Sequence, residues 1–230
     1  VISGIDNYDN SGSSVSSAGD INGDGIDDLI IGAPNADNSG NYSGEGESYV
    51  VFGSEDGFTA NLELTELDGS NGFVISGVDN GDNLGRSVSG AGDVNGDGID
   101  DLIIGAPYAD NSDNYSSEGE SYVIFGSSDG FDANLDLANP DNVNGFVITG
   151  VDNGDNLGRS VSGAGDINGD GVDDLIIGAP NADRGDNYSS EGESYVVFGV
   201  VPLELTGTSD DDILTGSNGD DLLSGLGGND

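Results

Sequence analysis

The sequence of 230 residues contains no cysteine, histidine, lysine, methionine or tryptophan. Without cysteine no disulfide can form, and without cysteine and histidine neither a thiolate nor an imidazole can bind a metal ion. Zinc and copper sites are therefore disfavoured, and a metal site in this chain has to be built from oxygen atoms. Oxygen-only coordination favours hard cations such as Ca²⁺.

Positive charge is almost absent as well. Arg86, Arg159 and Arg184 stand against 45 aspartates and glutamates, and the formal net charge is −42. A chain without a basic patch cannot displace the counterions of phosphate groups, which excludes nucleic acid as a partner and argues against docking to an anionic membrane. No apolar run reaches the ~18 residues of a spanning helix, so we predict no membrane insertion. The crowded carboxylates repel one another, and bound divalent cations or high ionic strength would relieve this repulsion.

The same absences predict that the chain is not an enzyme. It has no histidine, cysteine or lysine, and no serine stands beside a base that would activate it. The many carboxylates leave acid–base chemistry open on residue type alone. They lie, however, in loops whose spacing already suits a cation, so we predict no catalytic residue.

One acidic nonapeptide recurs at a constant spacing. Segments 20–28, 93–101 and 166–174 read DINGDGIDD, DVNGDGIDD and DINGDGVDD, and each starts 73 residues after the one before it. Side-chain oxygens at loop positions 1, 3, 5 and 9 and glycine at position 6 match the spacing of an EF-hand calcium loop. An EF-hand also needs a Glu at position 12, where this chain has isoleucine. Because the flanks are β-branched and apolar, the pattern predicts a cation-binding turn between two strands rather than between two helices.

The 73-residue period organises residues 1–200 into three units. In the second unit four apolar, β-branched or small-residue runs predict strands, at 73–76, 87–91, 101–104 and 121–125. The third run is continuously apolar, which is typical of a strand buried on both faces. A connector follows, with a short extended piece at Leu135 and Leu137. Four short strands per unit without a helical pattern predict an all-β fold of three four-stranded propeller blades.

Three motifs recur in the same order in every unit. They are Ser11-Gly12, Leu84-Gly85 and Leu157-Gly158, then the acidic nonapeptides, then Gly32-Ala33-Pro34, Gly105-Ala106-Pro107 and Gly178-Ala179-Pro180. In this order the motifs resemble the FG-GAP repeats of integrin α-chain propellers and their bacterial relatives in large secreted proteins. The resemblance covers residues 1 to about 199. It implies four-stranded blades with one Ca²⁺ in each acidic loop.

The resemblance carries the ligands at positions 1, 3, 5 and 9 over to each loop, and the loop spacing adds the backbone carbonyl oxygen of position 7. The expected ligands are Asp20, Asn22, Asp24, Ile26 and Asp28; Asp93, Asn95, Asp97, Ile99 and Asp101; and Asp166, Asn168, Asp170, Val172 and Asp174. About three Ca²⁺ ions are therefore expected in the repeats. Further acids recur elsewhere in the units, where a second cation site competes with a solvated acidic loop: Glu45, Glu47, Glu118, Glu120, Glu191 and Glu193 near Asp37, Asp110 and Asp183.

The number of units departs from the family, whose propellers usually have about seven blades. Exposed sheet edges of a three-blade piece favour association. Val1-Ile2-Ser3 corresponds to a final strand with no blade before it, while the third unit reaches Phe198-Gly199 without such a strand. We expect the chain to be a piece of a longer polypeptide. We also expect strand exchange with other copies, or with the rest of that polypeptide, to give a closed ring or a filament.

Residues 201–230 follow a different, nine-residue period. Asp212, Asp221 and Asp230 are in step, and so are Leu214 and Leu223. The segment resembles the RTX nonapeptides of calcium-binding parallel β-rolls, although it holds fewer than three rungs. The resemblance implies further calcium ligands at the three aspartates, type I secretion and folding in extracellular Ca²⁺. The alternative is a flexible Gly/Asp linker.

Together these features predict a secreted or cell-surface, calcium-binding module with a structural or adhesive role. Its expected partners are further copies of itself or other parts of a larger chain, with a cell-surface or matrix ligand as an additional candidate. Two alternatives remain open at this point. The module is an accessory propeller domain of a secreted hydrolase, or it is a filament subunit that binds only itself.

Overall fold

The computed structural model describes residues 1–37, 44–58, 60–110, 117–138, 144–183, 190–200, 204–206 and 222–224, the last two ranges by their backbone alone. The described residues are all-β apart from a single 3₁₀ turn at Leu64–Glu66. The strands are β1 (Ile2–Ser3), β2 (Ser14–Gly19), β3 (Asp28–Ala33), β4 (Glu47–Val51), β5 (Leu62–Glu63), β6 (Gly72–Ser76), β7 (Ser87–Gly92), β8 (Asp101–Ala106), β9 (Glu120–Ile124), β10 (Asn134–Asp136), β11 (Gly145–Thr149), β12 (Ser160–Gly165), β13 (Asp174–Ala179), β14 (Glu193–Val197), β15 (Glu204–Thr206) and β16 (Leu222–Ser224).

Each unit forms one antiparallel sheet, as predicted. Blade 1 has the strand order β2-β3-β4-β6, blade 2 the order β7-β8-β9-β11, and blade 3 contains β12, β13 and β14. The register repeats with the sequence period, since Val15 pairs with Ile31 in blade 1 and Val88 pairs with Ile104 in blade 2. The expected fold class is thus confirmed, and the blades are not closed into a ring in the described part of the chain.

The fourth strand of a blade comes from the start of the next unit. β6 pairs with β4, and β11 pairs with β9, in both cases antiparallel. The described residues give blade 3 no fourth strand, so the outer edge of β14 is unpaired there. The outer strand of a blade therefore belongs to the next unit of the sequence. It continues along the chain into that unit while its hydrogen bonds hold it to the preceding blade.

Short parallel strands cover the outer strands. The connector strand β10 pairs with β6, with Ile75 opposite Leu135 and Ser76 opposite Asp136, which confirms the extended piece expected at Leu135. β1 and β5 pair in the equivalent register, with Ile2 opposite Leu62. β1 therefore corresponds to an outer strand such as β6, and β5 pairs with it as the connector strand β10 pairs with β6.

The blades stack face to face and bury their continuous apolar strands between them. Ile30 and Val50 of blade 1 pack with Leu102 and Ile104 of blade 2 in one apolar cluster. The next cluster joins blade 2 to blade 3, and Ile103 contributes to it. Central strand β8 is thus buried on both faces, as its sequence predicts. This stacking places all three acidic loops in equivalent positions.

No helix long and apolar enough to cross a membrane occurs among the described residues.

Candidate metal centre

The acidic loops join the first and second strands of each blade. A β-bulge ends the first strand, at Gly92 in blade 2, and the loop starts at the next residue. The glycine at loop position 6, Gly98, has a φ of +88°. The left-handed conformation favours glycine because a Cβ would be strained there. The loop conformation, and not crowding, requires this glycine, because an added Cβ would meet nothing within 4 Å.

Loop positions 1, 3 and 5 are brought together by shared backbone amides. In the central loop, Oδ1 of Asp93 and Oδ1 of Asn95 both accept the amide of Asp97, at 3.0 and 2.8 Å. Nδ2 of Asn95 donates to Oδ2 of Asp97 at 3.0 Å, and Oδ1 of Asp97 accepts the amide of Ile99 at 2.9 Å. The corresponding contacts recur in the first and third loops. Three oxygen-bearing side chains per loop therefore converge, as the spacing predicts.

The aspartate at position 9 lies beneath the loop, where the charges of the acids at positions 1 and 5 still act on it. Asp101 is fully buried. Its Oδ2 accepts the amide of Val94 at 2.9 Å, and its Oδ1 accepts the amide of Gly126, just after β9, at 2.9 Å. Asp28 and Asp174 make the same two contacts and are equally buried. Position 9 thus ties both ends of the loop to the third strand of its own blade.

Burial makes this carboxyl group hard to ionise. Loss of hydration raises the pKa of Asp101 from 3.8 to about 7, although the two backbone amides lower it, and the charges of Asp97 and Asp93 raise it further. The same causes raise the pKa of Asp28 to about 6. Buried carboxylates usually need a cationic partner or a metal ion. The three arginines of the chain all lie outside the nine-residue loops.

The remaining predicted ligands are the residue at loop position 7 and the three aspartates of the last thirty residues. Ile99 at position 7 is half-buried, and its Cγ2 would lie 2.5 Å from a Cβ added to Gly126, so its side chain packs on that glycine. Among the described residues, no three acidic side chains are grouped closely enough to hold an ion by themselves. A site in these loops therefore has to combine the converging carboxylates with the asparagine and backbone oxygens. Asp212, Asp221 and Asp230 lie outside the described residues.

The sequence pattern missed the aspartate at position 8, which links neighbouring blades. Oδ2 of Asp100 accepts the amide of Asp20 at 2.9 Å, and Oδ2 of Asp173 accepts the amide of Asp93 at 3.1 Å. A Cβ on Gly19 would lie only 2.2 Å from Oδ2 of Asp100, so the carboxylate fills the space above that glycine. The signal was present, because the Asp-Asp pair recurs in all three loops, but position 8 is not a ligand in EF-hand spacing.

Two of the glutamates that recur outside the acidic loops, Glu47 and Glu120, are hydrogen-bonded within their own strands. Glu47 and Glu120 each accept a hydrogen bond from a tyrosine of their own strand, Tyr49 and Tyr122, at 2.5 Å in both cases. Loss of hydration is the first cause that raises the pKa of both glutamates, and neighbouring aspartates add to it. These contacts give the glutamates a structural role in their blades.

Comparison with known proteins identifies the repeat. The FG-GAP repeat matches residues 11–51, 84–124 and 157–197, which together make up more than half of the chain. The chain therefore belongs to the FG-GAP repeat family, as the three motifs suggested.

Similar proteins include an enzyme and several integrins. The chain is 34% identical over 166 residues to the phosphatidylinositol-glycan-specific phospholipase D of Bos taurus, with 72% of the chain and 18% of the relative covered. It is 31% identical over 170 residues to integrin alpha-PS2 of Drosophila melanogaster, with 72% and 11% covered. It is 29% identical over 170 residues to integrin alpha-5 of Xenopus laevis, with 73% and 14% covered. The chain thus spans less than a fifth of the length of these relatives.

Proposed function

We propose that this chain is a calcium-binding, non-catalytic module of an extracellular structural or adhesive protein, with one Ca²⁺ in each acidic loop. The observation that carries the proposal is the position of Asp28, Asp101 and Asp174. Each is fully buried beneath a loop of converging oxygen atoms, and no arginine belongs to any of the loops. A divalent cation in the loop is the counter-charge that such an arrangement needs.

The chemistry of the donors suits calcium. Each loop offers two carboxylates, an asparagine oxygen and a backbone carbonyl, and Ca²⁺ takes six to eight oxygen ligands. The buried carboxylate is engaged by two amides, but an ionised carboxylate has about four lone-pair sites, so acceptor capacity remains. Magnesium is smaller, demands near-octahedral geometry and usually keeps several of its waters, whereas Ca²⁺ accepts a larger and less regular set of oxygen ligands.

Each residue of the loop has a defined task in this function. Asp93, Asn95 and Asp97 hold the turn together and present oxygens, while Asp101 anchors both loop ends to the blade. Asp173 reaches from blade 3 to the first residue of the central loop. A cation in a loop would supply positive charge against its clustered carboxylates. Ion binding is therefore expected to strengthen the contact between blades as well as the loop itself.

Thermal unfolding in matched salts tests this function. Ligand that binds only the folded state adds about 2.7 kcal/mol per site at a concentration of ~100 Kd. The melting temperature should therefore rise steeply with CaCl₂ after chelator treatment. NaCl at the same ionic strength is the control, because screening alone also stabilises a chain with a net charge of −42. Equal curves in the two salts would contradict calcium binding.

A second candidate function is an accessory domain of a secreted hydrolase. It is favoured by the 34% identity to a phospholipase D of which the chain covers only 18%. In that case the propeller segment would bind or position a separate catalytic domain. Sequencing the coding region on both sides of the segment distinguishes the two functions, because only the second requires a catalytic domain in the same polypeptide.

The proposal extends to the last thirty residues and to the route of export. β15 and β16 pair in parallel with Glu204 opposite Leu222, a separation of 18 residues that equals two nine-residue periods. This spacing supports an RTX-like β-roll turn with further calcium ligands and type I secretion. Deleting residues 207–230 should lower the number of bound Ca²⁺ ions to three. A count that does not change on deletion would refute calcium binding in this segment.

A further inference from the structure

The residue at loop position 2 connects its own loop to the next blade. In the first loop, the amide of Ile21 donates to Oδ2 of Asp28 at 3.1 Å, and its carbonyl oxygen accepts the amide of Ser127 at 2.9 Å. Ser127 lies just after β9 of blade 2 and directly follows Gly126, whose amide donates to Oδ1 of Asp101 at 2.9 Å. Hydrogen bonds in series therefore join the buried aspartates of the first and second loops.

The same series of hydrogen bonds recurs between blades 2 and 3. The amide of Val94 donates to Oδ2 of Asp101 at 2.9 Å, and its carbonyl oxygen accepts the amide of Val200 at 3.0 Å. The amide of Gly199 then donates to Oδ1 of Asp174 at 3.0 Å. Asp101 takes part in both series, one through each of its carboxylate oxygens. The three position 9 aspartates thus belong to one connected network across the blades.

A second connection runs through the aspartate at position 8. Oδ2 of Asp100 accepts the amide of Asp20, which is position 1 of the first loop. At the other interface Oδ2 of Asp173 accepts the amide of Asp93 at 3.1 Å, and the amide of Asp173 donates to the carbonyl oxygen of Asp93 at 3.0 Å. Position 8 lies between positions 7 and 9, which are both expected calcium ligands. An ion that fixes these two positions therefore also fixes the residue that holds position 1 of the loop in the preceding blade.

The two loops at each interface also meet at a crowded glycine. A Cβ on Gly126 would lie 2.4 Å from the carbonyl oxygen of Asp100 and 3.0 Å from that of Ile21. Gly199 is enclosed in the same way, because its Cβ would lie 2.3 and 2.8 Å from the carbonyl oxygens of Asp173 and Val94. Such closely packed backbone transmits strain, so a displacement of one loop has to move the other.

We infer that the acidic loops of neighbouring blades bind Ca²⁺ cooperatively, because the two hydrogen-bonded connections transmit the ordering of one loop to the next. Asp100 and Asp173 act as positioning residues for the loop of the preceding blade. Coupling between two binding sites is reciprocal, so each loop gains affinity when its neighbour is filled. The inference rests on the proposed function and concerns the regulation of the same sites.

Repulsion between bound ions does not cancel this coupling. Each loop has aspartates at positions 1, 5, 8 and 9, so a loop with ionised aspartates keeps a negative charge after it binds one Ca²⁺. The field that attracts an ion to the next loop is therefore weakened but not reversed. Salt screens this effect through space, whereas the hydrogen-bonded connections stay in place. Coupling between sites typically changes an affinity by about 5–150-fold, and we expect about tenfold at each interface.

Every loop contains an amide that reports on its own site. The amide at position 6 donates to Oδ2 of the position 1 aspartate of the same loop, at 2.8 Å for Gly25, 2.8 Å for Gly98 and 3.0 Å for Gly171. Calcium bound at position 1 changes the surroundings of this amide. An amide NMR titration of the full chain with CaCl₂ therefore measures the affinity of each loop separately from ions bound elsewhere in the chain.

Asp97→Asn tests the coupling from the central loop to both neighbours. Asp97 bonds to positions 3 and 7 of its own loop and takes part in neither connection. Without this charged ligand the second loop stays empty at Ca²⁺ concentrations that fill the others. The affinities reported by Gly25 and Gly171 should each fall about tenfold. Asp129→Asn, which removes an exposed acid after β9, is the control for the loss of one charge and should leave all three affinities nearly unchanged.

Asp100→Ala tests the connection through position 8. It removes the acceptor of the amide of Asp20 and leaves the interface between blades 2 and 3 intact. In this background Asp97→Asn should lower the affinity of the first loop only about threefold, while the third loop still loses about tenfold. Asp100→Asn keeps an oxygen acceptor and should restore most of the coupling to the first loop. A general structural defect would affect both neighbouring loops alike.

The reciprocal measurement uses Asp170→Asn in the third loop. It should lower the affinity reported by Gly98 by the same factor of about ten. Circular dichroism in chelator confirms that each variant is folded, and a variant that is not folded is replaced by its reciprocal partner.

The outcomes separate this inference from the proposed function. If all three reporters respond to CaCl₂ but neither Asp97→Asn nor Asp170→Asn changes a neighbouring loop, calcium binds and the inference is overturned. If the first loop loses the same affinity with Asp100 and with alanine in its place, the positioning role of Asp100 is overturned. No response of any reporter to CaCl₂ refutes the proposed function together with the coupling.

Discussion

The buried aspartate of the central loop offers the sharpest test of how the loops work. Asp101 accepts the amides of Val94 and Gly126, both at 2.9 Å, and is fully buried. A hydrogen bond to a charged group contributes about 1.5–3 kcal/mol, and a buried amide left without a partner costs about 1–3 kcal/mol. Asp101→Ala should therefore lower the free energy of unfolding by about 4 kcal/mol, a large part of the ~5–15 kcal/mol of a typical domain.

Asp101→Asn separates the structural role of this residue from its role toward the cation. The amide oxygen can still accept one of the two backbone amides, so we expect a loss of about 2 kcal/mol in the presence of chelator. In calcium the loss should be larger, because the variant also lacks a charged ligand of its loop. Urea unfolding, followed by circular dichroism, measures both values.

Two results would refute this reasoning. Equal destabilisation of Asp101→Asn in calcium and in chelator would show that the residue does not act on a cation. No destabilisation of Asp101→Ala in either condition would show that the two hydrogen bonds do not anchor the loop. Asp129→Asn is the matched control, since Asp129 is an exposed acid after β9 and should change neither value.

Three further predictions concern the blades. Burial raises the pKa of Asp82 from 3.8 to about 7. The stability that this group contributes is therefore complete below its unfolded pKa and is lost as the pH rises through 7. Asp82→Asn should raise the melting temperature of the calcium-free protein more at pH 8 than at pH 5. Gly98→Ala should cost about 1 kcal/mol because only its positive φ is unfavourable, whereas Gly105→Ala should cost about 3 kcal/mol because its Cβ would lie 2.0 Å from a carbonyl oxygen of blade 3. Asp173→Ala should cost about 1–2 kcal/mol in urea unfolding, because the amide of Asp93 loses its acceptor.

The repeat made the blades predictable from the sequence. The apolar run of β8, the connector strand at Leu135 and the loop between the first and second strands all lie where the period places them. The apolar pattern of a strand and the repeat period can both be read directly from one sequence, without knowledge of the fold. The expected convergence of loop positions 1, 3 and 5 is also local, because it depends on amides within the same nine residues.

What the sequence could not supply is the set of contacts between distant parts of the chain. The spacing predicts Asp101 as a ligand, but it does not reveal that this carboxylate accepts the amide of Gly126, 25 residues away in the same blade. It also does not reveal that Asp173 of blade 3 accepts the amide of Asp93, 80 residues earlier in blade 2. Such contacts depend on how strands and sheets are arranged in the fold, and no single loop encodes that.

The number of calcium ions bound by the protein tests the central claim most directly. Isothermal titration of the chelator-treated full chain should be compared with a triple variant carrying Asp20→Asn, Asp93→Asn and Asp166→Asn, which changes position 1 of every acidic loop. We predict that the triple variant binds three fewer Ca²⁺ ions. The same count in both proteins would contradict calcium binding in the loops.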